Sequence, residues 1–402
     1  MVISHRRKNP INGVDTQYTP LHIRLWNKDF WLLVFADMLM CMAVTMLIPT
    51  LPQWLMTTEN MSAAETGLSM AAFGAGLYVL GCLCSWLVQH YRRNVVCMWA
   101  VTALALDIAL LWYIDSLRSE FVEFWVILVQ RLVMGATFGL AQMVLSSTLI
   151  IDTCESAQRT EANYSASWFS RFALSLGPLA GILLYTTYGF HTTLMAAMGC
   201  AVLSMIFIKM VSFPFRAPED RLHVVSLDRF FLPQGTLLFA NLLLVGTVAG
   251  MVLSSTLTPV FYTMMMGGFL LALLAQRFVF RDAELKSEVL SGLILLGCSL
   301  LVLLVKPLSP VAPLLFGLSL GIISSRFLLF FIKLSRHCQR GTSQSTCMLA
   351  WETGLAVGLG IGYGLFYEAG DMLLYVAMAL TLTSLALYHF LTHSWFMRNK
   401  NR

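Results

Sequence analysis

The chain has 402 residues, of which 58% are hydrophobic and only 12% are charged, and its formal net charge is +5. Soluble domains carry about 25% charged residues, so this composition excludes an ordinary soluble domain and indicates a membrane protein. Long apolar stretches recur along the whole chain, and each can cross a hydrocarbon core about 30 Å thick.

Continuous apolar stretches predict membrane-spanning helices, because backbone polar groups cannot remain unpaired in lipid. The first 25 residues lack the apolar core of a signal peptide, so we expect a polar tail there. Twelve helices are predicted in chain order, over residues 30–51, 68–88, 95–114, 124–150, 165–187, 191–211, 230–253, 257–279, 289–305, 311–333, 345–367 and 371–391.

The longest polar connection, FPFRAPEDRLHVVSLDR, divides the predicted helices into two sets of six. Its prolines and mixed charges are typical of a linker. The predicted organisation is a tail over 1–27, a six-helix bundle over 28–211, a linker over 212–229, a second six-helix bundle over 230–392 and a tail over 393–402.

Lysine and arginine positions indicate how the chain is oriented in the membrane. With the amino terminus inside, 21 of these residues fall in inner segments, and only Arg118 and Lys306 fall in outer loops. This bias is a strong positive-inside signal. We therefore expect a multi-pass protein of the plasma (cell inner) membrane with both termini in the cytoplasm.

A weak internal repeat relates the two halves. RTEANYSASWFSRFALSLGPLAG in the first half and RGTSQSTCMLAWETGLAVGLGIG in the second align at a constant offset of 181. The offset matches Arg159 with Arg340, Gly177 with Gly358 and Gly181 with Gly362, and it places Arg171 opposite Glu352. The identity is sparse, but it agrees with two parallel halves related by an axis along the membrane normal.

Short motifs resemble those of the major facilitator superfamily. In the fourth helix, QRLVMGATFG resembles the family's R-x-x-x-G motif, with Arg131 and Gly135. In the fifth helix, LGPLAG resembles the Gly-Pro motif of antiporter members and contains Gly177, Pro178 and Gly181. IPTLPQW in the first helix resembles the proline-rich outer end of drug and sugar efflux members.

The connection between the second and third helices, GCLCSWLVQHYRRN, resembles the family's G-x-L-x-x-D-R-x-G-R-R loop through Gly81, Arg92 and Arg93. It departs where the acidic residue is expected, since Gln89 is the nearest polar residue. The inner-gate role that the family gives to that aspartate is therefore not carried over. The resemblance implies two bundles that rock around a cavity lined by helices 1, 4, 7 and 10, with helices 2, 5, 8 and 11 between the halves.

Ionisable residues inside the predicted helices are candidates for function. Each would cost about 2.5–3.5 kcal/mol at a bilayer centre if unpaired, so each must pair or face water. They are Asp37, Asp107, Arg131, Arg171, Arg326 and Glu352. Estimated depths predict a lower layer of Asp37, Arg171, Arg326 and Glu352, and an upper pair of Asp107 and Arg131. Arg131 could instead reach Asp37, as in proton-coupled antiporters.

The lower layer predicts a proton site, with Asp37 and Glu352 as carriers; static ion pairs are the alternative interpretation. Pro178 and its neighbouring glycines predict a hinge or, alternatively, only close helix packing, and Gly358 and Gly362 predict close packing. Further possible cavity contacts are Gln142, Trp168, Asn241 and Trp351.

No catalytic, cofactor or metal motif is found, and the spacing of His389 and His393 suits an interfacial position better than a metal site. We predict an all-α secondary active transporter, not an enzyme, which exports a small organic molecule coupled to protons. A uniporter or symporter for sugars or metabolites, and a transport-inactive sensor or scaffold, are the alternatives. We expect a monomer that binds its substrate, protons and lipid but no nucleic acid.

Overall fold

A computed structural model of the protein describes residues 25–117, 122–154, 158–212, 223–255, 258–280, 283–305, 310–336 and 339–401. Nearly all of these residues are helical. Most of the expected amino-terminal tail and of the expected linker lies outside the described residues, as do Arg118 and Lys306.

Twelve helices of the described chain are long and apolar enough to cross a membrane, which confirms the predicted fold class. They are α1 (Lys28–Thr57), α2 (Ala63–His90), α3 (Arg93–Leu117), α4 (Phe124–Asp152), α5 (Arg159–Tyr188), α6 (Phe190–Lys209), α7 (Pro233–Leu253), α8 (Pro259–Phe278), α9 (Leu285–Leu304), α10 (Val311–Leu334), α11 (Arg340–Phe366) and α12 (Met372–Asn399).

Several helices extend beyond their predicted ends. α5 and α11 begin with polar turns that hydropathy alone assigns to loops, and α12 continues to Asn399 instead of ending in a tail at residue 393. Hydropathy marks only the part of a helix that faces hydrocarbon, whereas the hydrogen-bonded backbone continues into the interface. The additional turns carry contacts at the ends of the bundle.

The two halves repeat the same set of packed helix pairs. In the first half α1 packs on α5 and α6, α2 packs on α4, and α3 packs on α4 and α6. In the second half α7 packs on α11 and α12, α8 packs on α10, and α9 packs on α10 and α12. Each pair in one half has its equivalent in the other, as the sparse repeat predicted. Between the halves, α2 packs on α11 and α5 packs on α8.

Glycines allow α5 and α11 to approach their partners closely. A Cβ built on Gly181 would lie 3.1 Å from the Cα of Met46 in α1, and one built on Gly358 would lie 2.8 Å from the Cα of Gly250 in α7. Gly177, Gly362 and Gly135 also face neighbouring helices at distances that leave no room for a side chain. The repeated glycines therefore build equivalent α1–α5 and α7–α11 contacts, and α5 stays helical across Pro178.

Both ends of the described chain lie at the same end of the bundle, which we call the proximal end. Asn27, just before α1, donates a hydrogen bond of 2.8 Å to the carbonyl of Thr153 after α4. Asn401, just after α12, donates one of 2.7 Å to the carbonyl of Leu334 at the end of α10. The opposite end is called distal.

The close α1–α5 contact predicts that Gly181→Ala destabilises the protein. The new methyl group would meet the backbone of Met46, which cannot move aside, and overpacking of this kind costs about 1–3 kcal/mol. Thermal unfolding of purified protein in detergent measures the effect. Gly199→Ala on α6 is the matched control, because its Cβ would meet nothing within 4 Å. Equal melting temperatures for the two variants would contradict the prediction.

Candidate functional site

A cavity of about 120 Å³ lies between the two halves, with room for several water molecules. Its lining comes from α1, α2, α4 and α5 of the first half and from α7, α8, α10 and α11 of the second. The lining is mostly apolar, but four charged side chains reach it: Asp37, Arg131, Arg171 and Glu352. Four of the predicted cavity charges are therefore brought together.

Asp37 is the most deeply buried carboxylate of the cavity, with only 3% of its surface exposed. Its Oδ2 accepts a hydrogen bond of 2.5 Å from the Ser170 hydroxyl on α5. Its Oδ1 is buried and has no hydrogen-bond partner among the described residues. One side of this carboxylate is thus held by α5, and the other is left for water, a proton or a ligand.

Glu352 reaches the same cavity from the second half. It lies on α11, within the range at which its charge and that of Asp37 on α1 interact. Among the described residues it forms no ion pair within 4.0 Å. Two carboxylates from opposite halves therefore face one cavity.

Arg171 lies at the position that the repeat relates to Glu352, and it too lines the cavity. Its Nε donates a hydrogen bond of 2.7 Å to the Ser324 hydroxyl on α10, and its guanidinium lies 4.6 Å from the ring centre of Trp168. Its Nη1 is buried without a partner among the described residues. This arginine is stabilised by the aromatic face of Trp168 on its own helix and by the hydroxyl group of Ser324 from the other half. The carboxylate that was expected at its depth does not pair with it.

Arg131 is 3% exposed and lies over the ring of Phe73 on α2, at 5.0 Å from the ring centre. The predicted ion pair with Asp107 is not formed, because the Asp107 carboxylate accepts a hydrogen bond of 2.7 Å from Gln130. Consecutive helical residues point in directions about 100° apart, so Gln130 faces α3 while Arg131 faces the cavity. Asp107 and Arg131 interact only at longer range.

Arg326 lies outside the central cavity, contrary to the expected layer of four charges. Its guanidinium forms an ion pair with Glu288 of α9, which is 1% exposed, and both line a second cavity among α8, α9 and α10. Glu288 lies one residue before the predicted start of the ninth helix at 289, and it was therefore not counted among the intramembrane charges. Arg326 is neutralised within the second half.

The other predicted contacts divide into two groups. Gln142 and Trp351 line the cavity. Trp168 lies under the Arg171 guanidinium and beside α10 rather than in the lining. Asn241 lies away from the cavity, where it donates a hydrogen bond of 3.1 Å to the carbonyl of Ser384 and accepts one of 3.0 Å from the Ser384 hydroxyl, so it joins α7 to α12.

The loop motif after α2 lies at the proximal end. Arg93 forms an ion pair with Asp152 at the end of α4, and Arg92 is exposed. Gly81 faces the ring of Phe230, which follows the predicted linker directly and precedes α7, so the linker in the structure extends to residue 232. This motif therefore contacts the linker as well as the neighbouring helices.

Sequence analysis missed the hydroxyl groups that hold the charged residues. Ser170 and Ser324 carry no charge and look like ordinary small packing residues. A signal was present, because Ser170 directly precedes Arg171, and Ser324 and Ser325 directly precede Arg326. Polar residues beside an intramembrane charge in sequence are candidates for partners of charges on other helices: Ser170 bonds Asp37, and Ser324 bonds Arg171.

None of the four cavity charges forms an ion pair within 4.0 Å with a described residue. Such groups remain in a membrane only where they meet water, polar side chains or a ligand. The arrangement can therefore hydrate, take up protons at its carboxylates and bind a small solute between the halves.

The sequence pattern of the Major Facilitator Superfamily matches residues 33–384. The chain belongs to this superfamily. Its members are transporters that lie in the lipid bilayer and move small molecules, so this superfamily chain is a multi-pass membrane transporter. None of the curated protein sequences compared with it matches.

Solved structures share the fold at low sequence identity. A mutant of the nucleoside transporter NupG is 12% identical, with a TM-score of 0.63, over 90% of this chain and 100% of that one. The human organic anion transporter MFSD10 (TETRAN) is 16% identical, with a TM-score of 0.66, over 89% and 98%. A bacterial homologue of the iron transporter ferroportin, in an outward-facing state, is 14% identical, with a TM-score of 0.64, over 94% and 100%.

The Glu288–Arg326 pair predicts a specific pattern of stability. Glu288→Gln should destabilise the second half by about 1–3 kcal/mol, because it leaves a guanidinium that is only 14% exposed without its charged partner. The double variant Glu288→Leu, Arg326→Met should be close to wild type, since apolar side chains of similar volume can replace a buried pair. Thermal unfolding in detergent measures both, with the exposed Lys333→Gln as control. A double variant no more stable than the single one would argue against the pair.

Proposed function

We propose that this protein is a proton-coupled secondary active transporter, which exports a small organic molecule by alternating access. The observation that supports this most is the pair of carboxylates, Asp37 and Glu352, which face one cavity from opposite halves without cationic partners. We assign them as the proton carriers.

Proton binding at these carboxylates would couple directly to closure of the cavity. An ionised carboxylate in a drying cavity loses hydration that its few remaining partners do not replace. Two carboxylates within range of one another add repulsion. Protonation removes both costs, so the protonated and ionised forms favour different arrangements of the halves. A proton gradient can then drive the cycle in one direction.

Export follows from competition between substrate and protons for the same cavity. Binding of a proton at Asp37 or Glu352 changes the charge that the substrate meets, so one ligand can displace the other as the cavity alternates. The Gly-Pro motif around Pro178, which resembles that of antiporter members, agrees with exchange. The mostly apolar lining suits a small organic substrate.

A symporter for an anionic metabolite is the second candidate. The guanidinium groups of Arg131 and Arg171 both reach the cavity with unpartnered N–H groups, which suit an anion. With both carboxylates protonated, the two arginines would leave a net positive cavity, and an anion would then bind together with protons. Symport and exchange are distinguished by the sign of the pH effect on substrate affinity.

We further propose that the proximal end faces the cytoplasm of a plasma (cell inner) membrane. Among the described residues, the lysines and arginines at the ends of the helices lie mainly at this end, and by the positive-inside rule this bias supports a cytoplasmic position. We propose that the protein acts as a monomer, because each half supplies part of one cavity within a single chain.

The assignment of the carriers predicts that Asp37→Asn and Glu352→Gln abolish flux driven by a pH gradient without lowering the melting temperature. Each variant keeps the shape of the side chain but removes a titratable group from the cavity. Purified protein in liposomes, screened with candidate substrates in the presence and absence of an imposed gradient, measures the flux.

Asp107→Asn is the matched control for this experiment. Asp107 is a carboxylate that is buried to a similar extent as Asp37, but it lies outside the cavity and is bonded to Gln130. It should retain gradient-driven flux. Unchanged flux in Asp37→Asn would eliminate Asp37 as a carrier, and absence of flux for every compound in wild-type liposomes would favour a sensor or scaffold.

A further inference from the structure

The end of the linker joins the two halves at the proximal end. We call residues 226–232 the clasp. On the side of the first half, the backbone N–H of Ser226 donates a hydrogen bond of 3.0 Å to the carbonyl of Cys82 in α2. The ring of Phe230 packs against Gly81 and lies 6.0 Å from the ring centre of Tyr78.

The clasp binds α11 of the second half through two threonine hydroxyls. The backbone N–H of Arg229 donates a hydrogen bond of 2.9 Å to the Thr342 hydroxyl oxygen. The backbone N–H of Leu232 donates one of 2.8 Å to that of Thr346. These residues belong to the polar first turns of α11, which hydropathy did not predict as helix.

Asp228 is the residue of the clasp that contacts both halves with one side chain. Its Oδ1 accepts a hydrogen bond of 3.2 Å from the Thr342 hydroxyl in α11, and its Oδ2 accepts one of 3.4 Å from the Ser85 hydroxyl in α2. Thr342 lies in the first turn of α11, where the helix dipole favours a negative charge. The hydrogen bonds from Thr342 and Ser85 and the dipole of α11 therefore all favour a carboxylate between α2 and α11.

The backbone around Asp228 is set for this contact. Arg229 has a φ of 58°, in the left-handed region that residues with a side chain rarely adopt. This turn directs the Arg229 N–H toward Thr342, next to the Asp228 carboxylate that accepts from the same threonine. A strained residue persists only where surrounding contacts hold it.

The motif at the end of α2 has no acidic residue at the expected position. Gln89 occupies this region, and its Nε2 donates a hydrogen bond of 3.1 Å to the Ser85 hydroxyl oxygen. The same hydroxyl donates to Asp228. In this chain the carboxylate that contacts α2 and α11 therefore comes from Asp228 of the linker. Asp228 lies more than a hundred residues in sequence from both Ser85 and Thr342.

We propose that Asp228 is a gate-positioning residue, which holds α2 and α11 together at the proximal end and must release one of them before the cavity opens on that side. This inference rests on the alternating access proposed above. It assigns to the linker a direct part in the transport cycle, beyond that of a tether between the halves.

A natural cysteine can report the state of this gate. Cys347 lies on α11 shortly after Thr342 and Thr346, and its side chain lines the central cavity. Its side chain is only partly exposed, so release of the clasp should make its thiol more accessible from the proximal side. Cys97, which is fully buried within the first half, reports general loosening of the protein instead.

The test is the rate at which a membrane-impermeant maleimide modifies Cys347 in the full-length protein. Vesicles of the two opposite orientations are labelled, and modification at each cysteine is read by peptide mass spectrometry. Asp228→Ala should raise the rate about tenfold, the order of effect of one hydrogen bond to a charged acceptor. Thr342→Val, which removes the shared donor at nearly constant shape, should raise it in the same vesicles.

Glu284→Gln is the matched control, because Glu284 is an exposed acid that precedes α9 within the second half. Cys347 of Glu284→Gln should be modified at the wild-type rate. Cys347 of Asp228→Asn should be modified at a rate between those of wild type and Asp228→Ala. The proposal is overturned by a wild-type rate in Asp228→Ala, by equal increases in both vesicle orientations, or by a parallel increase at Cys97. Labelling requires neither substrate nor protons, so failure of the proton-carrier assignment would leave this result unaffected.

Discussion

The cost of holding charge inside a membrane is the constraint on which this structure depends. The protein meets the cost in three ways. Arg326 is neutralised by Glu288, and Asp107 is bonded to the amide of Gln130. The charges of the central cavity are instead supported by aromatic faces, hydroxyl groups and the cavity itself. Among the described residues, this third arrangement leaves the Asp37 Oδ1, the Arg131 Nε and the Arg171 Nη1 without hydrogen-bond partners. A transporter needs such atoms in order to bind a proton or a substrate reversibly.

The repeated architecture explains why these atoms meet at the centre. Because both halves use the same helix pairs, α5 and α11 occupy equivalent places beside the cavity. Arg171 and Glu352 lie at equivalent positions on these helices and carry opposite charges. The fold is therefore nearly symmetric, whereas the electrostatics of the cavity are not. Such an asymmetry gives the cavity a charge pattern that can distinguish a charged ligand from its counterion, although the two halves share one fold.

The sequence was sufficient for the twelve helices, the two halves and the glycine contacts, because apolar length and small residues act locally. It was insufficient for the partners of the buried charges. Arg326 and Asn241 point away from the cavity, because helix rotation is fixed by packing across the bundle and not by position along the helix. Glu288 was missed at a helix boundary, and Ser170 and Ser324 were missed because hydroxyl groups carry no signal in hydropathy. The clasp was missed because its contacts join residues far apart in sequence.

The geometry of α11 connects the proposed gate with the proposed proton site. Thr342 lies in the first turn of α11, where the clasp is bound. Glu352 follows ten residues later, about 15 Å along the helix axis. Beyond it, Gly358 is packed closely against the backbone of α7, so α11 cannot bend freely at its distal part. A change of charge at Glu352 that alters how α11 lies against α2 and α7 would therefore also displace Thr342. Displacement of Thr342 would alter the hydrogen bond that its hydroxyl donates to Asp228. Protonation in the cavity would in this way change the contacts that hold the proximal end.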